Sequence, residues 1–146
     1  MKFIAHRGNI SGKQVDVENS TDYIDTAIDC GYDVEVDVWK EPSGFYLGHD
    51  SPSHKIDISF LDERRDVLWV HCKNILALYE LKDDFNCFFH DTDDAVLTSK
   101  NYIWTYPNKQ LVKNSIAVLP EMGYCGELLD CYGICTDNIE QFKLIL

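Results

Sequence analysis

Positive charge is what this chain is short of: 13 Lys and Arg stand against 25 Asp and Glu, a formal net charge of −12 over 146 residues. A nucleic-acid partner is excluded on that ground, because a phosphate backbone would be repelled from most of such a surface. A small phosphorylated molecule is not excluded, since one local basic group and one cation can hold it. Long apolar runs are missing too. No stretch approaches the roughly 18 apolar residues of a membrane span, and the opening "MKFIAHRGN" has no apolar run of secretory length. The expectation is a soluble cytoplasmic protein with no membrane partner, monomer or homodimer. Repeats, low-complexity segments and linkers are absent, so residues 1–146 read as a single domain. There is no nucleophile elbow, glycine-rich phosphate loop, dinucleotide fingerprint or HExxH helix, which argues against P-loop nucleotide binding and hydride chemistry.

What is present suits a folded domain. Hydrophobic residues make up 45% of the chain and aromatics 12%, enough for a real core. The six cysteines, at positions 30, 72, 87, 125, 131 and 135, are scattered through apolar runs and read as free thiols in a reducing compartment. Cys125, Cys131 and Cys135 lie near one another in sequence, but no CxxC or CxxH pair supports a metal site there.

Short runs rich in β-branched and aromatic residues recur along the chain: "KFIAH", "DVEVDVW", "GFYLGH", "VLWVHCK", "NCFFH", "YIWTY", "SIAVLP" and "YGICTD". Helical patterns fall between some of them. "ENSTDYIDTAIDCG" offers Asn19 or Ser20 as an N-cap and stops at Gly31. "KNILALYELKDD" and "CTDNIEQFKLIL" supply two more, the last with Thr136 and Asp137 as capping residues. Strand and helix in alternation predict an α/β fold with a parallel sheet. The strand count suits a TIM-type (β/α) barrel, compressed at this length so that several connecting helices are shortened. An open doubly wound sheet fits the pattern as well.

Function in parallel α/β folds collects where strands end. The first run delivers His6 and Arg7 there. The second carries Glu35 and Asp37 on one face, with Val34, Val36 and Val38 on the other. Two acids side by side in an apolar strand are costly to bury unless a cation sits between them, and hard oxygens suit magnesium or calcium. Later runs deliver His49 with Asp50, His71 with Lys73, and His90 with Asp91.

The series "IAHRGN", "ENS", "GYDVEVDV" and "LGHD" closely resembles the N-terminal signature of the glycerophosphodiester phosphodiesterase family, within the wider phosphatidylinositol-phospholipase-C-like group. The match is dense over residues 3–50. Beyond it, "WVHCKN" and "GICTDNIEQF" resemble the family's next strand and its closing strand and helix. The resemblance implies a TIM-type barrel that cleaves a small phosphodiester with the help of one divalent cation. His6 and His49 match the two family histidines, one activating the attacking oxygen and one protonating the departing alkoxide. Arg7 matches the arginine that grips the phosphate. Glu35 and Asp37 match the metal ligands, and Glu18 the acid of the "EN" motif, a ligand or a group supporting one. Lys73 keeps the family's lysine beside the phosphate, and Trp104 with Tyr106 could line the substrate site.

The chain departs from the family where His71 stands in place of a metal-binding glutamate. An imidazole there would shift preference toward manganese or zinc, or weaken metal binding. The segment "SPSHKIDISFLDERRD" is also short where the family often inserts substrate-shaping residues. Three readings stay open: hydrolysis of a glycerophosphodiester or similar diester, a lyase-type cleavage giving a cyclic phosphate, and a reduced barrel that binds a phospho-ligand without turnover.

Overall fold

Each of the eight apolar runs folds as a strand, in a computed structural model that describes residues 1–123 and 128–146. In chain order the elements are β1 (Lys2–His6), α1 (Thr21–Asp29), β2 (Asp33–Glu41), β3 (Gly44–Leu47), β4 (His54–Ile56), α2 (Ile58–Asp62), β5 (Leu68–Cys72), α3 (Ile75–Leu81), β6 (Asn86–Phe89), β7 (Ala95–Leu97), β8 (Ile103–Thr105), β9 (Ser115–Val118), β10 (Gly133–Thr136) and α4 (Ile139–Ile145). Short 3₁₀ turns at Pro120–Met122 and Leu128–Asp130 lie between β9 and β10.

The compressed TIM-type barrel predicted from the strand count does not form. The described residues make a mixed ten-stranded sheet curled into a half-barrel, with only four short helices. Parallel pairing runs β6–β5–β2–β1–β10–β9–β8. To this, β3 adds antiparallel to the second half of β2, β4 to β3, and β7 to β8. Chain length is the physical reason. A parallel crossover through a helix takes about a dozen residues or more, and residues 106–114 join β8 to β9 with no helix. The span between β2 and β5 is spent on the β3–β4 hairpin and a helix of five residues. Helical cover is therefore concentrated on β2, β5 and β6, where α1 and α3 pack, with α4 against β1.

Two apolar layers hold the sheet. On the helical side, Ile24 and Ala27 of α1 and Ala77 and Leu81 of α3 pack on Val34, Val36, Val38, Val70 and Cys72. Burying each Val or Leu there contributes about 1.5–3 kcal/mol. On the concave side Ile4, Trp69, Phe88, Trp104, Ile116 and Cys135 form a second layer. Trp104 stacks on Phe88 at 4.6 Å between ring centroids. Ser99, two residues after β7, ties that edge to β6: its N–H donates to Cys87 O (2.9 Å) while its hydroxyl accepts from Cys87 N (3.0 Å) and donates to Phe85 O (2.6 Å).

Local signals place the helices. Ser20 occupies the N-cap of α1 without a side-chain hydrogen bond, while Asn74 caps α3 by accepting from Ala77 N at 3.0 Å. The cap of α4 is Asn138, which accepts from Gln141 N, and not Thr136 or Asp137 as the sequence suggests. Both of those side chains turn to other partners. At the other end of the sheet, β10 approaches β1 so closely that a Cβ on Gly133 would lie 2.6 Å from Lys2 O. Among the described residues no helix is long and apolar enough to cross a membrane.

Candidate active site

Because the seven parallel strands point one way, their C-terminal ends converge on one rim. His6 closes β1, Glu35 and Asp37 lie in β2, His71 in β5, and Lys73, His90, Tyr106, Leu119 and Asp137 just follow β5, β6, β8, β9 and β10. Strand register sets Glu35 against Trp69 and Asp37 against His71, so both carboxylates face the concave side.

Asp37 is the centre of charge. It is fully buried, with Arg7 Nε at 3.1 Å, His71 Nδ1 at 3.1 Å and Lys73 Nζ at 3.6 Å. Asn19 donates to its Oδ2 (2.9 Å) and accepts from its backbone N (3.0 Å). Burial alone would raise the Asp37 pKa, but His71, Arg7 and Lys73 outweigh it and hold the carboxyl well below the usual carboxylate range. Glu35 goes the other way. Burial and the neighbouring Asp37 charge raise its pKa, despite His6, Arg7 and His71 nearby. One Glu35 oxygen accepts from Arg7 N at 3.2 Å and the other lies 3.8 Å from His71 Nδ1.

Glu35, Asp37 and His71 each offer one ligand atom within 4.8 Å of the others. Asp37 Oδ1 and His71 Nε2 are buried with no aligned hydrogen-bond partner. One carboxylate oxygen and one imidazole nitrogen left open in this way, with the Glu35 carboxylate beside them, fit a divalent cation. The nitrogen moves preference from magnesium and calcium toward manganese or zinc.

The basic groups are equally constrained. Arg7 has φ 54° and Asn19 φ 60°, left-handed conformations that cost of order 1–3 kcal/mol each and cluster at functional sites. Gly8 follows at φ 92°, where a Cβ would strike the Tyr23 ring at 2.7 Å. Arg7 Nη1 donates to Glu18 Oε2 (3.1 Å), and the other Glu18 oxygen accepts from Asn9 (2.9 Å). Glu18 thus sits behind Arg7, outside the three-donor cluster. His6 Nδ1 meets Asp137 Oδ1 at 2.7 Å and its Nε2 lies 3.9 Å from Glu35. Burial disfavours its charge, but Asp137 and Glu35 prevail and its pKa is raised. His49, from the loop after β3, is less buried and bonds Asp50 at 2.7 Å, and burial lowers its pKa.

His6, Arg7, Glu35, His49, His71 and Lys73 line one cavity of about 290 Å³, with His90, Trp104, Tyr106 and Leu119 on its other wall. Trp104 is only 2% exposed and forms part of the floor. A larger cavity of about 1090 Å³ lies at the opposite ends of the strands, around Lys2, Asp33 and Tyr132, away from the histidines and the carboxylate pair.

The residues the sequence singles out are thus brought together, save that Glu18 backs Arg7. Sequence reasoning missed Asp137, which orients His6, and gave Asn19 only the role of a helix start. The signal for Asp137 was its place just after the last strand, by the same rule that flagged His71 and His90. Cys125 lies outside the described residues. Cys131 and Cys135 are buried free thiols, and among the described residues they join no metal-ligating cluster. No family model, curated protein or solved structure matches the chain.

Proposed function

We propose that the chain is a metal-dependent phosphodiesterase acting on a glycerophosphodiester or similar small diester. The observation that carries this reading is the meeting of a three-donor cation site with Arg7, Lys73 and two histidines in one cavity. Arg7 and Lys73 hold the non-bridging phosphate oxygens, the guanidinium taking two at once. A cation held by Glu35, Asp37 and His71 supplies charge against the developing negative charge of the phosphoryl group. His6, fixed by Asp137 on its Nδ1, presents its other nitrogen to the cavity, where one of the two histidines takes a proton from the attacking water and the other gives one to the departing alkoxide as its P–O bond breaks. His49 acts from the outer lip. Each transfer of this kind is typically worth about 10²–10⁴ in rate. The free cysteines among the described residues accord with a reducing, cytoplasmic setting.

The test is a titration with magnesium, calcium and manganese, following hydrolysis of glycerophosphocholine and of bis(p-nitrophenyl) phosphate. Turnover that requires metal, with manganese at least equal to magnesium, and that falls about 10²-fold or more in His6→Ala and His49→Ala is the expected result. A chain that binds none of the three ions and cleaves neither ester refutes the reading.

A further inference from the structure

The cavity has two halves of different chemistry. The charged half is built by His6, Arg7, Glu35, His49, His71 and Lys73, and the other by Trp104, Tyr106, Val118 and Leu119, with His90 and Asp91 at the boundary. If the phosphoryl group sits in the charged half, as the proposed function has it, one alcohol arm of the diester must lie in the other.

His90 is placed to read that arm. It follows β6, and its ring stacks on Tyr106 at 3.6 Å and 20° and lies 6.0 Å from the His71 ring. The stack fixes the plane of the imidazole. Its side chain is 14% exposed; Nδ1 is shut in beside the Asp93 carboxylate, 3.8 Å away, which leaves Nε2 as the ring nitrogen open to the cavity. Covering a polar atom without giving it a partner costs about 1–3 kcal/mol, and an alcohol arm packed on Tyr106 covers Nε2. A ligand that supplies the missing partner removes that cost, and one that cannot leaves it in place. From this, we infer that His90 is a specificity-determining residue, with Nε2 making a hydrogen bond to a hydroxyl on the alcohol arm that packs against Tyr106. The cavity selects diesters whose arm carries such a hydroxyl over otherwise equal esters without one. This rests on the phosphodiesterase reading but assigns a residue to which the sequence resemblance gives no counterpart.

The experiment compares 3-hydroxypropyl and propyl esters of p-nitrophenyl phosphate, which share a leaving group and differ by one hydroxyl. The parent chain should favour the hydroxyl ester in kcat/KM by about 5–150-fold, the range equivalent to one buried hydrogen bond. His90→Phe keeps a ring on Tyr106 and removes the nitrogens. It should slow the hydroxyl ester to the rate of the propyl ester while leaving the propyl ester within about threefold. His90→Gln, which restores a hydrogen-bonding group, should recover part of the preference. No preference in the parent, or a preference that survives in His90→Phe, overturns the inference. Bis(p-nitrophenyl) phosphate separates the two claims. If the parent cleaves it but shows no hydroxyl preference, only the role of His90 falls. If the parent cleaves no ester, the phosphodiesterase reading falls and the assignment with it.

Discussion

Asp37 is where charge, burial and fold meet, and replacing it by Asn tests all three. The amide keeps the size of the side chain and still accepts from Asn19, so packing is unchanged. What disappears is the one negative charge that faces Arg7, His71 and Lys73 at 3.1, 3.1 and 3.6 Å. Removing one partner of a buried ion pair costs about 3–5 kcal/mol. Arg7 keeps Glu18, and Arg7 and Lys73 retain 13% and 15% side-chain exposure, so the lower end applies. At roughly 3 °C per kcal/mol for a domain of this size, the metal-free variant should melt about 9 °C below the parent at pH 7. Acid should close the gap. The folded carboxyl is held below its ordinary value near 3.8. Its contribution is therefore complete above that value and is lost as pH falls through the folded pKa. Urea midpoints at pH 7, 5 and 3.5 follow this directly. A melting temperature within 2 °C of the parent at pH 7 would refute the electrostatic account, as would a gap that widens in acid.

Two further outcomes bear on the same architecture. His71→Glu, which completes a three-carboxylate shell, should raise magnesium and calcium affinity at least tenfold relative to manganese by calorimetry, because hard cations prefer oxygen; unchanged relative affinities would remove His71 from the ligand set. Gly133→Ala should destabilise the chain by about 1–3 kcal/mol in denaturant melts, since the new methyl meets the Lys2 backbone and forces β10 away from β1. A neutral effect would mean the two strands are not packed as described.

The site was more legible in the sequence than the fold that carries it. Period-two alternation places Glu35 and Asp37 on one face whatever the sheet's overall shape, and strand-end residues converge in any parallel arrangement. His6, Arg7, His71 and Lys73 could therefore be grouped without knowing the curl, whereas His49 reaches the rim because the antiparallel β3 returns the chain to Asp37. The architecture depends on what connects the strands. β4 (His54–Ile56) and β7 (Ala95–Leu97) have three residues each, too few to show a period, and both are partly exposed. Without them two of the three antiparallel additions were invisible, and the third, β3, counted as one more parallel strand of a barrel. Asp137 was read as a cap because Thr-Asp before a helix is a strong local signal. The stronger demand came from His6, 131 residues away in sequence, and local pattern carries no trace of it.

The pairing of β1 with β10 has a consequence for how the chain is made. Lys2 lies against Gly133 and Ala5 against Thr136. During synthesis β1 gains its neighbour β2 early but must wait for residues 133–136 before its second neighbour exists. Helices α1 and α3 and the β2–β3–β4 meander can consolidate early from nearby contacts, while closure of long loops comes later and more slowly. His6 gains its Asp137 partner only in that last event. A nascent or C-terminally clipped chain would hold most of its core and both acids of β2, but not the acid that steadies its first imidazole. The setting of His6 is in this way tied to the arrival of β10.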